Sequence, residues 1–308
     1  MLRALASLLA LAVCIAVPAL AAGEDAHVVA RVTTGSGPCS ETGGLGAVWV
    51  ANYAASTVVR VDPATNRVTA RIPVGVHPCG VGVGSGAVWV DGWGTGTVER
   101  ISPGKRKVTK RIKVAGPDSL WDVIYAAGAV WGTDYVRGTV IRIDPRTNRV
   151  VRRIAVGESP SNLRYGAGAI WVGSQTGHVV FRIDPATNGF TKIPVDLERP
   201  DSTAVSDTAV WVTDNAAHGS VTRIDPETNT VVATIPVGKS PSNPAIAPDG
   251  TVVVPLRLEN KVALIDPETN TLTGTIAVGR GPYPAAEAFG DIWVPSSQGV
   301  QVFRIHIG

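Results

Sequence analysis

The chain lacks the short motifs that identify several classes of enzyme. It contains no H-E-x-x-H zinc motif, no G-x-S-x-G nucleophile elbow, no C-x-x-C-H haem site and no Walker loop. The stretch "GVGVGSG", residues 80–86, has the glycines of a nucleotide loop, but it lies in a repeated strand and not before a helix. The sequence therefore presents no ready catalytic signature.

Charge and long hydrophobic runs are also scarce. Charged residues make up 17% of the chain, and the net charge of +3 is too weak a bias to indicate a nucleic acid or a membrane surface. The basic run at 105–111 lacks the interleaved aromatics of a nucleic-acid groove and is better explained as protection of an exposed sheet edge. No run beyond the N-terminal segment approaches the ~20 apolar residues of a membrane span.

The N-terminal segment is predicted to be a secretory signal peptide. It has one basic residue, an apolar run and Ala19-Leu20-Ala21 in the small-x-small cleavage pattern. A lipoprotein signal ending at Cys14 is the alternative, although Val13 stands where such signals carry Gly or Ala. We therefore expect a signal peptide over 1–22, and an exported, periplasmic or secreted, monomeric domain over 23–308.

One phrase recurs through the rest of the chain. "RVDPATNRVTARIPVG" has close copies, such as "RIDPRTNRVVRRIAVG" and "RIDPETNTVVATIPVG". The prolines of the copies follow one another at 40, 42, 40, 41 and 41 residues. They are Pro63, Pro103, Pro145, Pro185, Pro226 and Pro267. A period this regular, in segments that alternate like strands, indicates a propeller or a repeat array.

Each repeat is predicted to contain four strands. In one copy these are "VGVG" (81–84), "GAVWV" (86–90), "TVERI" (97–101) and "KVTKRIKV" (107–114). The Asp-Pro-x-Thr-Asn link suits a hairpin turn, because Asp caps it, Pro sets φ and Asn tolerates positive φ. The Asp residues of these links are therefore predicted to be structural.

Strand counting predicts an all-β, seven-bladed β-propeller of four-stranded blades. Six blades are complete, and the seventh, which begins at Pro282, has only three strands before the chain ends. The segment "HVVARVTT" (27–34) matches a fourth strand and has no blade of its own. We expect this N-terminal strand to complete the last blade and close the ring.

The pattern V-x-R-I-D-P-x-T-N, followed by G-A-V-W-V, resembles the YVTN-type β-propeller repeat over essentially the whole mature chain. It is also similar to the wider group that includes streptogramin B lyase, a propeller enzyme. That resemblance implies the same fold. The lyase chemistry uses a Glu-x-His pair, a second His and a divalent metal, and this sequence contains no Glu-x-His. Catalytic residues therefore do not carry over.

Two tryptophans depart from the repeat. Six of the eight occupy the second strand of a blade, where packing between blades explains them. Trp93 follows that strand in blade 2, and Trp121 lies at the entry to blade 3. Tyr53 and Tyr135 hold the loop position of Trp93 in blades 1 and 3. These four side chains are predicted to form a stacking surface at the mouth of the central channel, with loop filling as the alternative.

Polar residues are predicted at the same mouth. Near the start of each innermost strand the chain carries Ser40, Gly80, Asp122, Asn162, Ser202, Asn243 and Pro284. They could surround a ligand or a divalent cation, with Arg164 as an anion contact. Alternatively, they bond to water or to loop backbone.

Two classes of function remain. The first is a non-catalytic exported propeller that binds a small molecule, a peptide or a protein at the channel mouth. The second is a metal-dependent hydrolase or lyase with Asp122, Asn162 and Asn243 around a cation. The regular repeat and the missing catalytic motifs favour the first.

Cys39 and Cys79 each follow a blade-opening proline, in "GPCS" and "HPCG". Equivalent positions on adjacent innermost strands lie near the upper limit of the ~4.4–6.8 Å that a disulfide allows between Cα atoms. Export would favour that disulfide. Two free thiols and a soft-metal site that includes His77 remain as alternatives.

Overall fold

The structure is a computed structural model that describes residues 26–308. The predicted signal peptide, residues 1–22, lies outside the described residues. No helix among residues 26–308 combines the length and the apolar character needed to span a bilayer. Apart from one three-residue 3₁₀ turn, the described chain consists of strands joined by turns and loops.

The first element of the described residues is β1 (His27–Thr33), and the blades follow in sequence order. Blade 1 holds β2 (Pro38–Gly44), β3 (Ala47–Asn52), β4 (Thr57–Asp62) and β5 (Arg67–Pro73). Blade 2 holds β6 (Val81–Gly84), β7 (Ala87–Gly92), a 3₁₀ turn (Trp93–Thr95), β8 (Thr97–Ser102) and β9 (Lys107–Lys113). Blade 3 holds β10 (Leu120–Ala126), β11 (Ala129–Asp134), β12 (Thr139–Asp144) and β13 (Arg149–Ala155).

The remaining blades repeat this order. Blade 4 holds β14 (Pro160–Gly166), β15 (Ala169–Ser174), β16 (Val179–Ile183) and β17 (Phe190–Pro194). Blade 5 holds β18 (Pro200–Val205), β19 (Val210–Asp214), β20 (Gly219–Asp225) and β21 (Thr230–Gly238). Blade 6 holds β22 (Ala245–Ile246), β23 (Val252–Leu256), β24 (Lys261–Asp266) and β25 (Thr271–Ala277). Blade 7 holds β26 (Ala286–Ala288), β27 (Asp291–Pro295) and β28 (Gln301–His306).

The sheets confirm a seven-bladed all-β propeller. Each of the seven sheets has four antiparallel strands. The last sheet has the order β1-β28-β27-β26, with Val32 opposite Val302 and Arg31 opposite Phe303. The N-terminal strand therefore completes blade 7, as the unpaired fourth-strand pattern predicted.

The second strand of each blade lies in the core. Trp49, Trp89, Trp131 and Trp171 are fully buried. Each indole N–H donates to the carbonyl five residues earlier, for example from Trp131 to Ala126 at 3.0 Å. The ring thus packs between blades while its polar atom stays satisfied.

The arginine of the recurring phrase locks neighbouring blades together. Arg142 lies over the ring of Trp131, with its guanidinium carbon 5.0 Å from the ring centroid. Its Nη1 donates to Asn188 Oδ1, in the next blade's Asp-Pro-x-Thr-Asn turn, at 2.9 Å. The same contact to the next blade joins Arg182 to Asn229, Arg223 to Asn270, and Arg304 to Asn66. The last of these fastens blade 7 to blade 1.

The arginine of blade 1 does not make this contact, because the turn of blade 2 has a different residue. Arg106 stands in the blade 2 turn where other copies carry Asn. Arg60 therefore lacks an amide acceptor there, and its Nη2 donates to the Gly46 carbonyl of its own blade at 3.1 Å. The hydrogen bond from the repeat arginine to the turn asparagine of the next blade is therefore missing between blades 1 and 2.

The structural role predicted for the Asp of these turns is confirmed. Asp144 Oδ1 accepts from the Arg146 backbone N–H at 2.9 Å, and Oδ2 accepts from the Thr147 hydroxyl at 3.0 Å. The backbone bond from Arg146 is the main cause that lowers the pKa of Asp144. The turn Asn also takes positive φ, as at Asn188 (φ 61°). The phrase recurs because its Asp and Asn residues form the turn, and its Arg and Asn residues form the contact between neighbouring blades.

Candidate functional site

Seven equivalent loop positions surround one end of the central channel. We call this end the upper face, and it carries the loops between the second and third strands. In each loop, the first residue donates its backbone N–H to the segment that enters the same blade, as from Tyr53 to the Gly37 carbonyl at 2.7 Å and from Arg257 to that of Ser240 at 3.1 Å. The seven donors are Tyr53, Trp93, Tyr135, Gln175, Asn215, Arg257 and Ser297.

The structure brings the four predicted aromatic side chains to one sector of this face. The ring centroids of Trp93 and Trp121 lie 5.2 Å apart in an edge-to-face arrangement. Tyr135 stacks on the other side of Trp121 at 5.3 Å. Tyr53 stacks on His77 at 4.4 Å, so this histidine supports an aromatic wall.

A cavity of about 360 Å³ opens beside these rings, and we call it the upper cavity. Tyr53, Trp93 and Trp121 line one side of it. Arg257, Tyr283, Ser297 and Gln298, from blades 6 and 7, also line it. Tyr135 does not line the cavity but supports Trp121 from behind.

A disulfide joins Cys39 and Cys79 at the wall of the upper cavity. Their Cα atoms lie 5.1 Å apart, at equivalent places at the entries to blades 1 and 2. The bond ties together the segments that enter blades 1 and 2, and the backbone N–H groups of Tyr53 and Trp93 donate to carbonyls of these same segments. Within residues 26–308, no three His, Cys, Asp or Glu side chains form a group that could hold a metal ion.

The loop around Trp93 is fixed by its own hydrogen bonds. The Trp93 N–H donates to the His77 carbonyl at 3.2 Å, and the Trp93 carbonyl accepts from Asp118 at 2.9 Å. Gly96, which ends the 3₁₀ turn, has φ of 60° and donates to the Gly92 carbonyl at 2.7 Å. An added Cβ there would lie 2.1 Å from the Gly116 carbonyl oxygen, so the turn requires glycine.

Asn162 and Asn243 lie outside the upper cavity. Both are buried, and Ser202 lies between them. Asn162 Nδ2 donates to Ser202 Oγ at 3.0 Å, and Ser202 Oγ donates to Asn243 Oδ1. The amides thus join blades 4, 5 and 6 in a buried chain of hydrogen bonds. These bonds join side chains to one another, whereas the alternative expected bonds to water or to loop backbone.

Asp122 and Arg164 line a second cavity, of about 410 Å³, farther along the innermost strands. We call it the lower cavity. Asp122 Oδ2 accepts from the Leu163 backbone N–H at 3.0 Å and lies 3.4 Å from Arg164 Nη1. Burial raises the pKa of Asp122, and Arg164 opposes this rise. Of the predicted site residues, Tyr53, Trp93 and Trp121 line the upper cavity, Asp122 and Arg164 line the lower cavity, and Tyr135, Asn162 and Asn243 line neither.

Sequence reasoning missed Glu41, which also lines the lower cavity. Glu41 occupies the register of Val81, Val123 and Leu163 and is 4% exposed. Neither carboxylate oxygen has a hydrogen-bond partner among the described residues. Burial raises the pKa of Glu41, and the charge of Arg164 opposes this rise. Glu41 could have been found from the sequence, because a carboxyl group stands there at a position where other repeats carry an apolar residue.

Substitution of Glu41 by Leu is expected to stabilise the protein at neutral pH by about 1–3 kcal/mol, because it removes a buried carboxyl group without partners. The raised pKa means that the folded state holds this proton more tightly than the unfolded state. Wild-type stability is therefore favoured at acid pH and lost as the pH rises above the unfolded value of about 4.3. Urea unfolding of both proteins at several pH values measures the difference.

The advantage of Glu41→Leu should grow from acid to neutral pH. Glu41→Gln separates the loss of charge from the loss of polarity. Glu287→Leu is the control, because Glu287 lines the same cavity but is exposed. An advantage that stays constant with pH would contradict the assignment of the effect to ionisation.

Comparison with known proteins finds similar folds and one repeat family that matches part of the chain. The family model described as "Repeat of unknown function (DUF6923)" matches residues 80–207. No curated protein sequence matches the chain. Virginiamycin B lyase from Staphylococcus aureus, a solved structure, is 15% identical with a TM-score of 0.78, over 92% of this chain and 100% of that one.

A streptogramin B lyase structure is 16% identical with a TM-score of 0.76, over 89% of this chain and 94% of that one. The chain shares its β-propeller fold with these lyases. The WD40 β-propeller domain of Doa1 is similar too, at 12% identity and a TM-score of 0.77, over 92% of this chain and 97% of that one. The resemblance predicted from the repeat pattern is thus confirmed for the fold, which proteins of different function share.

Proposed function

We propose that this protein is an exported, non-catalytic β-propeller that binds a small ring-bearing ligand in the upper cavity. The observation that carries this proposal is the wall formed by Tyr53, Trp93 and Trp121 around a space of about 360 Å³. A concave site with aromatic walls and a few polar groups is typical of ligand binding. The volume suits a single small molecule rather than an extended chain.

The rigidity of this wall supports binding. Trp93 is held by backbone hydrogen bonds on both sides, and Trp121 lies between Trp93 and Tyr135. The disulfide ties the first two blades together beside the cavity. Side chains already ordered before binding lose little entropy on binding, so more of the contact energy appears as affinity.

Export is part of the proposal. The N-terminal segment has the pattern of a signal peptide. The disulfide between Cys39 and Cys79 would persist in an oxidising compartment and would be rare in the cytosol. Expression with the native N-terminus, followed by mass measurement of the product, tests cleavage after Ala21 or Ala22.

The alternative, a metal-dependent hydrolase or lyase, rests on likeness of fold. That likeness brings no catalytic residue to this chain, because the sequence has no Glu-x-His pair. Stoichiometric metal in the purified protein, together with turnover of a lactone or depsipeptide substrate, would favour the alternative.

Replacement of both Trp93 and Trp121 by Ala is expected to weaken ligand binding by about 30-fold while the fold persists, because each stacked ring contributes about 1 kcal/mol. A ligand is first found by screening sugars, aromatic acids and short peptides by thermal shift. Calorimetry then gives its affinity for both proteins. Circular dichroism checks the fold.

Tyr165→Ala is the matched control, since this exposed aromatic residue lines the lower cavity. It should leave affinity unchanged. A ligand that binds the double tryptophan variant as tightly as the wild type would place the site elsewhere.

A further inference from the structure

The upper face is chemically uneven around the channel. The seven equivalent loop positions are aromatic in blades 1 to 3 and polar in blades 4 to 7. Arg257 is the charged member of this set. It lines the upper cavity with Trp93 and Trp121, although its own loop belongs to blade 6. A ligand in the cavity would thus meet aromatic rings and a guanidinium group.

Arg257 differs from the arginines of the repeat. Arg142 and its equivalents are committed to a tryptophan ring and to the turn of the next blade. The exposed guanidinium of Arg257 lies 5.6 Å from the centroid of the Tyr283 ring. Within the described part of the chain it has no hydrogen bond or ion pair with another side chain. Its N–H donors therefore remain available to a ligand.

The cavity wall carries a net positive charge. No carboxylate lines the upper cavity in residues 26–308, and Arg257 is the one permanent charge on its wall. Burial raises the pKa of Tyr53, and the nearby Asp118 and Asp91 raise it further. Burial also raises the pKa of Tyr283. Both phenols therefore stay neutral near neutral pH.

We propose that the ligand of the upper cavity is a small ring-bearing carboxylate, whose ring contacts Trp93 and Trp121 and whose carboxylate pairs with Arg257. This inference rests on the proposed binding function and adds the chemical class of the ligand. A guanidinium offers two parallel N–H donors that match the two oxygens of a carboxylate. The Gln298 side chain, also on the wall, is a neutral donor for the same anion.

Matched acid and amide pairs test the pairing with Arg257. The probes are indole-3-acetate with indole-3-acetamide, and glucuronate with glucuronamide, so that the two pairs separate an aromatic from a sugar ring. Calorimetry or tryptophan fluorescence gives their affinities. In at least one pair, the wild type should bind the acid about 10-fold more tightly than the amide, because a charge-assisted pair replaces a neutral contact.

Variants assign that preference to one side chain. Arg257→Gln should abolish the preference for the acid, because it weakens binding of the acid much more than binding of the amide, whereas Arg257→Lys should retain part of the preference. Arg280→Gln is the matched control, because this exposed arginine is near the upper face but does not line the cavity. The Trp93 and Trp121 double variant should weaken binding of acid and amide alike.

Equal binding of acid and amide by the wild type would overturn the inference, as would a preference that survives Arg257→Gln. Failure of all four probes to bind at millimolar concentration would overturn it too. The proposed function would stand in each case if another ligand bound and lost affinity in the double tryptophan variant. It would fail if no screened ligand depended on those rings.

Discussion

A chain over residues 36–308 is expected to unfold about 10 °C or more below the chain over residues 23–308, if it folds at all. The deletion removes β1, which pairs with β28 and closes blade 7. It also removes the buried side chain of Val32 and exposes the β28 edge. Lost burial and backbone hydrogen bonds together amount to at least about 5 kcal/mol, a large share of the stability of a typical domain.

Thermal unfolding followed by circular dichroism measures this effect. A chain that begins at residue 26 is the length control and should melt like the chain over residues 23–308. Within β1, Val32→Ala should cost about 2 kcal/mol and Val29→Ala almost nothing, because Val32 is buried and Val29 is 45% exposed. If the deletion left the melting temperature unchanged, closure of the ring by β1 would be refuted.

Replacement of Cys39 and Cys79 by Ser is expected to lower the free energy of unfolding by about 4 kcal/mol. The disulfide spans 40 residues of sequence, and a cross-link of this span reduces the entropy of the unfolded chain. Urea unfolding of the oxidised wild type and of the double variant gives the difference. Because the disulfide also lies at the wall of the upper cavity, the variant should bind the ligand more weakly.

Reduction provides the control for this experiment. In a strong reductant the wild type should lose most of its advantage over the double variant, since both then lack the cross-link. Mass measurement after alkylation of the unreduced wild type should show no added groups at Cys39 or Cys79. Two additions without denaturant would contradict the disulfide.

The aromatic residues of the candidate site were predicted from the sequence, and its charged residue, Arg257, could also have been predicted. Trp93 and Trp121 break the repeat, so they stand out without a structure. Arg257 and Ser297 hold the loop position of Tyr53 and Trp93, and alignment of the seven loops would have found them. Arg257 lines the same cavity as the aromatic residues because of the width of the channel and the direction of its side chain. No repeat pattern specifies either of these.

By itself the sequence determined the blade count, the strand order, the turns and the strand that closes the ring. These features follow from short-range patterns, alternation over a strand and turn chemistry over five residues, repeated at a nearly constant period. Tertiary structure alone decided three others. They are the contact of Arg304 with Asn66, 238 residues apart; the lack of a hydrogen-bond partner for the buried Glu41 carboxylate among the described residues; and the presence of two separate cavities along the channel. Each depends on contacts between residues that are far apart in the sequence, and sequence spacing does not encode those distances.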